Sequence, residues 1–243
     1  MTDFSTIVLI GIIFSIAAMM HGLCGFGFSL LSVGLLSLLI GPKTAIPLDI
    51  VAASANCFYL AWLLRKEIIF RETLVIIIIS ILFVPLGTFY LSKFNSTVII
   101  RSMGIIILLV SLTSVLKKEY SKIFSAKYFK WFAGAASGLL GGAFNIPGPP
   151  LVLYSYNSHW PLRNAMANLQ LIFSVMTIVI VLSFSSAGLF NLKIVATGAA
   201  YIPFVALFTF VGSRISKRLE LKYLSIVINV FLLCLGATLL IKG

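Results

Sequence analysis

Long apolar runs separated by short boundaries fill almost the whole chain of 243 residues. Most runs have about the 20 residues that a helix needs to cross a bilayer. They cover residues 4–20, 22–42, 44–64, 73–92, 96–116, 128–158, 164–192, 194–213 and 223–241. The pattern predicts an all-α polytopic membrane protein with about eight to ten membrane segments joined by short loops.

Two boundaries are unusually rich in glycine or proline. The first reads His21-Gly22-Leu23-Cys24-Gly25-Phe26-Gly27, and the second, residues 141–150, reads Gly-Gly-Ala-Phe-Asn-Ile-Pro-Gly-Pro-Pro. Neither stretch can form a continuous unstrained helix, because glycine and proline disfavour the helix interior. We therefore expect a discontinuous helix at each boundary.

The chain also resembles itself at an offset of about 116 to 125 residues. Residues 22–26 fall opposite residues 138–142, residues 42–45 fall opposite 162–165, and Gly87 falls opposite Gly212. This self-similarity predicts two homologous transmembrane repeats, residues 1–120 and 121–243, within one integral membrane unit.

Hydrophobic residues make up 60% of the chain and charged residues only 10%, whereas soluble domains carry about 25% charged residues. The composition leaves no room for a soluble domain beside the apolar runs. A formal charge of +12 would suggest nucleic acid as a partner of a soluble protein. Here the basic residues lie between apolar runs, so they predict orientation in a lipid bilayer and no nucleic-acid partner.

The distribution of the basic residues favours five crossings in each repeat. Four crossings place ten basic residues on one face and eight on the other, whereas five crossings place thirteen against five. The thirteen are Arg65, Lys66, Arg71, Lys117, Lys118, Lys122, Lys127, Lys130, Arg163, Arg214, Lys217, Arg218 and Lys222, and the five are Lys43, Lys93, Arg101, Lys193 and Lys242. By the positive-inside rule this predicts inverted repeats in the cell (inner) membrane, with both termini outside the cytoplasm.

Interrupted apolar segments at matching positions of two repeats indicate a substrate site in secondary transporters. The N-terminus of a broken helix offers N–H groups and a positive dipole end, which can hold an anion without a formal charge. The candidates at the two boundaries are Gly25, Phe26, Gly27, Asn145, Pro147 and Gly148. The alternative for Gly25 and Gly27 is close helix packing.

A few polar side chains lie deep in the apolar runs, and we add four of them to the substrate-binding candidates: His21, Asn56, Asn168 and Gln170. Amides can donate hydrogen bonds to an oxyanion while remaining neutral. The alternative for each amide is an interhelical hydrogen bond. His21 could donate to substrate, titrate during transport, or bind freed backbone at the first boundary.

Three charged residues are candidates for steering or coupling. Lys43 and Arg163 occupy equivalent positions in the two repeats and could steer anions, although both could equally anchor the topology. Asp49 is the one acid that could reach membrane depth, where it could bind a proton. The alternative for Asp49 is a helix cap near the membrane interface.

The residues 21–28, 138–150 and 165–171 resemble the TauE/SafE family of sulfite and organosulfonate exporters. The resemblance covers nearly the whole chain, including the two glycine-rich segments. It implies a transporter that moves sulfite, sulfoacetate or a related sulfur-containing anion across the bacterial inner membrane. The chain departs from the family pattern at Ser32-Val33-Gly34-Leu35, where many members have a proline. Because of this departure, we expect Asn145, Gly148 and their neighbours to contribute more to the substrate site than the first boundary does.

These observations together predict a secondary transporter that exports a small anion by alternating access at a midplane site between the repeats. The alternatives are an anion channel, since pores also use helix ends and polar rings, and an intramembrane enzyme. We expect no enzyme activity, because Cys24, Cys57, Cys234 and the two histidines have no recognisable catalytic or metal-ligand spacing. No cofactor or metal is expected, and proton coupling and a homodimer are left open.

Overall fold

The computed structural model describes residues 4–115, 126–158, 160–215 and 221–242, and all regular secondary structure in these ranges is helical. The α-helices are α1 (Phe4–Cys24), α2 (Phe28–Ile40), α3 (Pro42–Leu63), α4 (Phe70–Lys93), α5 (Ser96–Val115), α6 (Ala126–Phe144), α7 (Gly148–Asn157), α8 (Leu162–Ser186), α9 (Leu192–Ile215) and α10 (Leu221–Lys242). A short 3-10 turn, Arg65–Glu67, joins α3 to α4. The prediction of an all-α fold is confirmed.

Five helices of the described residues are long and apolar enough to cross a bilayer: α1, α3, α4, α8 and α9. Large apolar side chains project from them into the surroundings, as at Leu82, Leu182 and Leu192, which are 67%, 65% and 85% exposed. Water would disfavour so much exposed apolar surface, but lipid tails would not. The protein is therefore polytopic, as the sequence predicts.

The two helix breaks occur at the glycine-rich boundaries. The first break comprises residues 25–27, between α1 and α2, and the second comprises residues 145–147, between α6 and α7. The helix α1 extends to Cys24, beyond the predicted end of the first apolar run at residue 20. The helices after the breaks have 13 and 10 residues, so they rise only about 20 and 15 Å and are too short to cross a bilayer.

The described residues fall into two compact units, and each unit combines segments from both predicted repeats. Unit 1 contains residues 4–53, 93–115, 191–215 and 221–242. Unit 2 contains residues 54–92, 126–158 and 160–190. A homologous repeat need not fold as a separate compact unit, so this division leaves the repeats as a prediction. The predicted repeat boundary at residue 120 lies outside the described residues.

In unit 1, α1 and α9 approach each other closely at two glycines. A Cβ atom at Gly22 would collide with the carbonyl oxygen of Thr209, and one at Gly212 would collide with that of Met19. The Thr209 hydroxyl donates a hydrogen bond across the same contact to the carbonyl oxygen of Ala18 at 3.2 Å. Glycine is therefore required at both positions, because only a backbone without Cβ permits this separation.

In unit 2, α6 and α4 pack in the same way. A Cβ atom at Gly142 would collide with the carbonyl oxygen of Val84, and one at Gly87 would collide with that of Leu139. In each unit, the helix before the break thus packs through a glycine near its end against a helix from the other half of the chain. Gly87 and Gly212, which fall opposite each other in the sequence, thus make equivalent contacts, while the repeats stay a prediction.

Candidate functional site

The first break is built from two glycines in left-handed backbone conformations. Gly25 has a φ of 78° and Gly27 a φ of 98°, with half-buried Phe26 between them. The Gly25 N–H closes the end of α1 by donating to the carbonyl oxygen of His21 at 2.7 Å. A Cβ atom at Gly27 would meet no atom within 4 Å. The close-packing interpretation is therefore wrong for Gly27, where backbone conformation requires glycine.

Aromatic side chains pack around the start of α2. Phe28, the first residue of α2, stacks on Phe14 of α1 with the ring centroids 5.6 Å apart. The buried His21 ring lies edge-on to Phe28 at 6.5 Å. The contact between Phe28 and Phe14 shows that the chain folds back along α1 after the break. His21 therefore lies beside the first turn of α2, as expected for a residue at this boundary.

The second break has Asn145 at the position that Gly25 occupies in the first. Asn145 has a φ of 56°, in the left-handed region, and is buried. Its N–H donates to the carbonyl oxygen of Gly141 at 2.9 Å, and the Ile146 N–H donates to that of Leu140 at 3.2 Å. This pattern ends a helix through a left-handed residue, for which asparagine is the commonest choice after glycine. The left-handed backbone conformation is thus sufficient by itself to explain why asparagine occurs at position 145.

The two breaks differ in the backbone donors that they offer. The first four N–H groups of any helix lack an acceptor inside that helix. The first turn of α2 contains no proline, whereas α7 begins Gly148-Pro149-Pro150 and follows Pro147. Proline has no N–H group. The expected set of backbone donors is therefore present at the first break and depleted at the second, where anion binding would depend on side chains.

Asn168 of α8 has a fixed amide orientation in unit 2. Its Oδ1 atom accepts a hydrogen bond from the Ile69 N–H at 2.8 Å. Because an N–H group can be met only by the oxygen of the amide, this contact decides which amide atom is Oδ1 and which is Nδ2. The Nδ2 group is buried and has no hydrogen-bond partner among the described residues. Asn168 thus presents an unused donor inside the protein.

Asn56, in the second half of α3, is a second buried amide with an unused donor. It is 1% exposed, and neither its Nδ2 nor its Oδ1 atom has a hydrogen-bond partner among the described residues. Gln170 is also fully buried, and its backbone carbonyl oxygen accepts a hydrogen bond from the Ser174 hydroxyl at 2.8 Å. All the predicted amides therefore lie in the protein interior and none faces lipid.

Asn168 and the second break lie at different heights along α8. A Cβ atom at Gly141 would lie 2.7 Å from Cε of Met176 and 3.4 Å from Cβ of Pro147, so the second break packs beside Met176. Asn168 precedes Met176 by eight residues in α8, which corresponds to about 12 Å along a helix. The structure therefore places Asn168 nearer the α3–α4 loop than the break.

The start of α8 holds the α3–α4 loop through several contacts. The Arg163 guanidinium pairs with the Glu67 carboxylate at 3.5 Å, and the Asn164 amide donates to the carbonyl oxygen of Glu67 at 2.8 Å. Arg163 and Lys43 each occupy the second position of their helix, as predicted, and both are exposed. Arg163 therefore anchors this loop, and a steering role remains a prediction for both residues.

Asp49 is fully buried seven residues after the start of α3, in unit 1. The Ser32 hydroxyl oxygen of α2 lies 2.5 Å from Oδ1 of Asp49 and 2.8 Å from the carbonyl oxygen of Phe28. The helix-cap interpretation of Asp49 is wrong, because a cap precedes the first turn of its helix. Ser32 could not be selected as a candidate from the sequence, since α2 contains three serines and only the contact with Asp49 distinguishes this one.

The described residues contain no group of three His, Cys, Asp or Glu side chains that could hold a metal ion. Cys24 is half-buried, Cys57 is buried and Cys234 is exposed, and none of the three forms a disulfide bond within the described residues. The site candidates are therefore neutral amides, glycine backbone and one histidine, together with the buried Asp49.

A family model described as Sulfite exporter TauE/SafE matches residues 9–239. The match contains both helix breaks and both buried amides with unused donors. No curated protein and no solved structure matches the chain. The resemblance that rests on the two glycine-rich segments is confirmed, and the chain belongs to the TauE/SafE sulfite exporter family.

Proposed function

We propose that this protein is a secondary transporter that exports a small sulfur-containing anion, such as sulfite or sulfoacetate, by alternating access. Family membership supports the general class, a membrane exporter of anions. Within the chain, the observation that carries the proposal is the fixed, unused donor of Asn168.

A buried donor without an acceptor costs about 1–3 kcal/mol. An oxyanion that accepts a hydrogen bond from Asn168 Nδ2 would recover this free energy, whereas a cation would not. Asn56 offers further unused polar atoms in the same unit. We propose that, within unit 2, Asn56, Asn145, Asn168 and Gln170 provide side-chain contacts to an anion. Within unit 1, we propose that the N–H groups at the start of α2 provide backbone contacts.

The donors in this proposal are neutral. No described Lys or Arg side chain is buried, so an anion in the interior would be held by amide and backbone dipoles and not by a Lys or Arg charge. A transporter must release its substrate as well as bind it, and neutral donors hold an anion less tightly than a buried ion pair would. This arrangement suits reversible transport.

Export follows from the membrane potential when the anion moves with one net negative charge. Outward movement down a cell-negative potential gains about 2.3 kcal/mol per 100 mV, or roughly a fiftyfold concentration ratio. The basic residues favour an inner-membrane orientation with both termini outside the cytoplasm. We propose this orientation together with the exporter function.

Replacement of Asn168 by aspartate tests the proposed donor. The aspartate side chain has the same shape and can still accept from the Ile69 N–H, but it replaces the Nδ2 donor with an acceptor oxygen. We expect Asn168→Asp to lower sulfite and sulfoacetate uptake into proteoliposomes at least about tenfold, since a hydrogen bond to a charged group contributes about 1.5–3 kcal/mol.

Asn95→Asp is the matched control. The Oδ1 atom of exposed Asn95 also accepts a backbone N–H, from Val98 at 2.9 Å, so the chemical change is the same at the start of α5. We expect this variant to transport like the wild type. Equal transport by Asn168→Asp would remove Asn168 from the site, and no uptake of any sulfur oxyanion by the wild type would refute the proposed function.

A further inference from the structure

Unit 1 contains a buried acid that anion binding alone does not require. Asp49 is completely inaccessible to solvent in α3, and its Oδ1 atom lies 2.5 Å from the hydroxyl oxygen of Ser32 in α2. An ionisable side chain at membrane depth is costly, and such residues commonly mark proton or ion pathways.

The contacts of Ser32 depend on whether Asp49 carries a proton. The Ser32 oxygen lies within hydrogen-bonding distance of two acceptors, Asp49 Oδ1 and the Phe28 carbonyl oxygen at 2.8 Å. A hydroxyl group has one proton and can donate it to only one of them at a time. When Asp49 is protonated, it can donate to Ser32 while Ser32 donates to Phe28. When Asp49 is ionised, Ser32 donates to the carboxylate and leaves the Phe28 carbonyl.

Phe28 is the first residue after the first break, so this chain of two hydrogen bonds joins Asp49 to the turn that offers backbone N–H groups. An ionised Asp49, joined to this turn through Ser32, would repel an anion bound there. We infer that Asp49 is a proton-binding site linked to anion binding at the first break, with each ligand favouring the other. This inference rests on the proposed function, and it names the ion that regulates anion binding at the first break.

Few other titratable groups face this region of unit 1. The helix α2 contains none, while α3 contributes Lys43 at its exposed start. The helix α9 packs against α3 through Gly198 and Val51. Its Lys193 and Arg214 are exposed, and the Tyr201 hydroxyl donates to the Ile7 carbonyl oxygen at 2.7 Å.

The remaining helices near α2 are α1, α5 and α10. The titratable side chains whose exposure is described there are His21 and Cys24 on α1, exposed Arg101 on α5, and exposed Cys234 and Lys242 on α10. Buried His21 is therefore the rival proton acceptor, and a test must separate it from Asp49.

Proton uptake on anion binding tests the inference directly. Purified protein in a weakly buffered solution receives sulfoacetate, whose acidic groups stay ionised above about pH 6. A pH dye records proton uptake, and a thermal-shift titration records binding in parallel. We expect the wild type to take up as much as about one proton per chain, and its affinity to fall up to about tenfold per unit rise in pH.

We expect Asp49→Asn to bind sulfoacetate without proton uptake and with an affinity that does not change with pH, because the amide can donate to Ser32 permanently. Ser32→Ala retains the acid but breaks the link, so its affinity should depend less on pH. Glu72→Gln is the control, because it neutralises an exposed acid that accepts a hydrogen bond from Trp160, and it should retain proton uptake.

Binding by the wild type without proton uptake would overturn the inference and leave the proposed function intact. Uptake that persists in Asp49→Asn and is lost in His21→Gln would assign the proton to His21 and also overturn it. Failure of the wild type to bind any sulfur oxyanion would refute the proposed function and, with it, this inference.

Discussion

At Asn145, both the left-handed backbone conformation and the proposed amide contact with substrate favour asparagine. Its left-handed φ of 56° explains why asparagine is suitable there without reference to any ligand. The same position in the first break is Gly25, which satisfies the backbone and has no side chain. Only a substitution that preserves the conformation can therefore reveal whether the amide takes part in transport.

Asn145→Gly and Asn145→Leu separate these demands. Glycine adopts the left-handed conformation freely, so we expect Asn145→Gly to unfold at the wild-type temperature but to lose about tenfold in transport, because it removes the amide. Leucine should lower the free energy of unfolding by about 1–3 kcal/mol as well. Thermal unfolding in detergent and proteoliposome uptake measure the two effects. Wild-type uptake by Asn145→Gly would restrict Asn145 to a backbone role.

The sequence identified the buried amides as candidates, but it could not identify their partners. The bond from the Ile69 N–H to Asn168 joins residues 99 positions apart, and the contact of Ser32 with Asp49 joins two different helices. Polarity within an apolar run is visible locally, whereas orientation of an amide is decided by distant backbone. The proposals of a donor role for Asn168 and of a proton site at Asp49 therefore required the fold.

At the scale of helices, glycine has two distinct uses that composition alone does not separate. Gly25 and Gly27 permit left-handed turns at the first break, while Gly22 permits α1 to approach α9. The clustering of glycine correctly predicted both helix breaks. It could not distinguish the packing glycine from the turning glycines, because the distinction depends on a helix nearly 190 residues away in the sequence.

Two glycines on α1 allow a matched test of this packing. A Cβ atom at Gly22 would collide with the Thr209 carbonyl oxygen, whereas one at Gly11 would lie 3.4 Å from the Tyr201 ring, an ordinary contact. We expect Gly22→Ala to lower the free energy of unfolding by about 1–3 kcal/mol through forced separation of the helices. Gly11→Ala should be neutral or stabilising by up to about 1 kcal/mol, since alanine favours helix. Equal stabilities of the two variants in detergent would contradict the packing described for α1 and α9.

At the scale of the whole molecule, hydropathy was sufficient to predict an all-α membrane protein, because every spanning segment must bury its own backbone hydrogen bonds. The two helix breaks were also predictable, whereas the sequence left the number of membrane segments open between about eight and ten. The composition of the two compact units does not follow, because each joins segments from both halves of the chain. Such pairing is decided by close contacts between distant glycines and leaves no periodic signal.

The proposed function requires the protein to bind a sulfur oxyanion and to carry it across the membrane by alternating access. Counterflow is the decisive experiment: proteoliposomes loaded with unlabelled sulfoacetate are diluted into a trace of radiolabelled sulfoacetate, with the membrane potential clamped at zero. We expect transient accumulation of label above the external concentration, saturation with substrate, competition by sulfite but not by acetate, and strong loss in Asn168→Asp. Absence of label uptake, or simple equilibration without accumulation as through a channel, would contradict it.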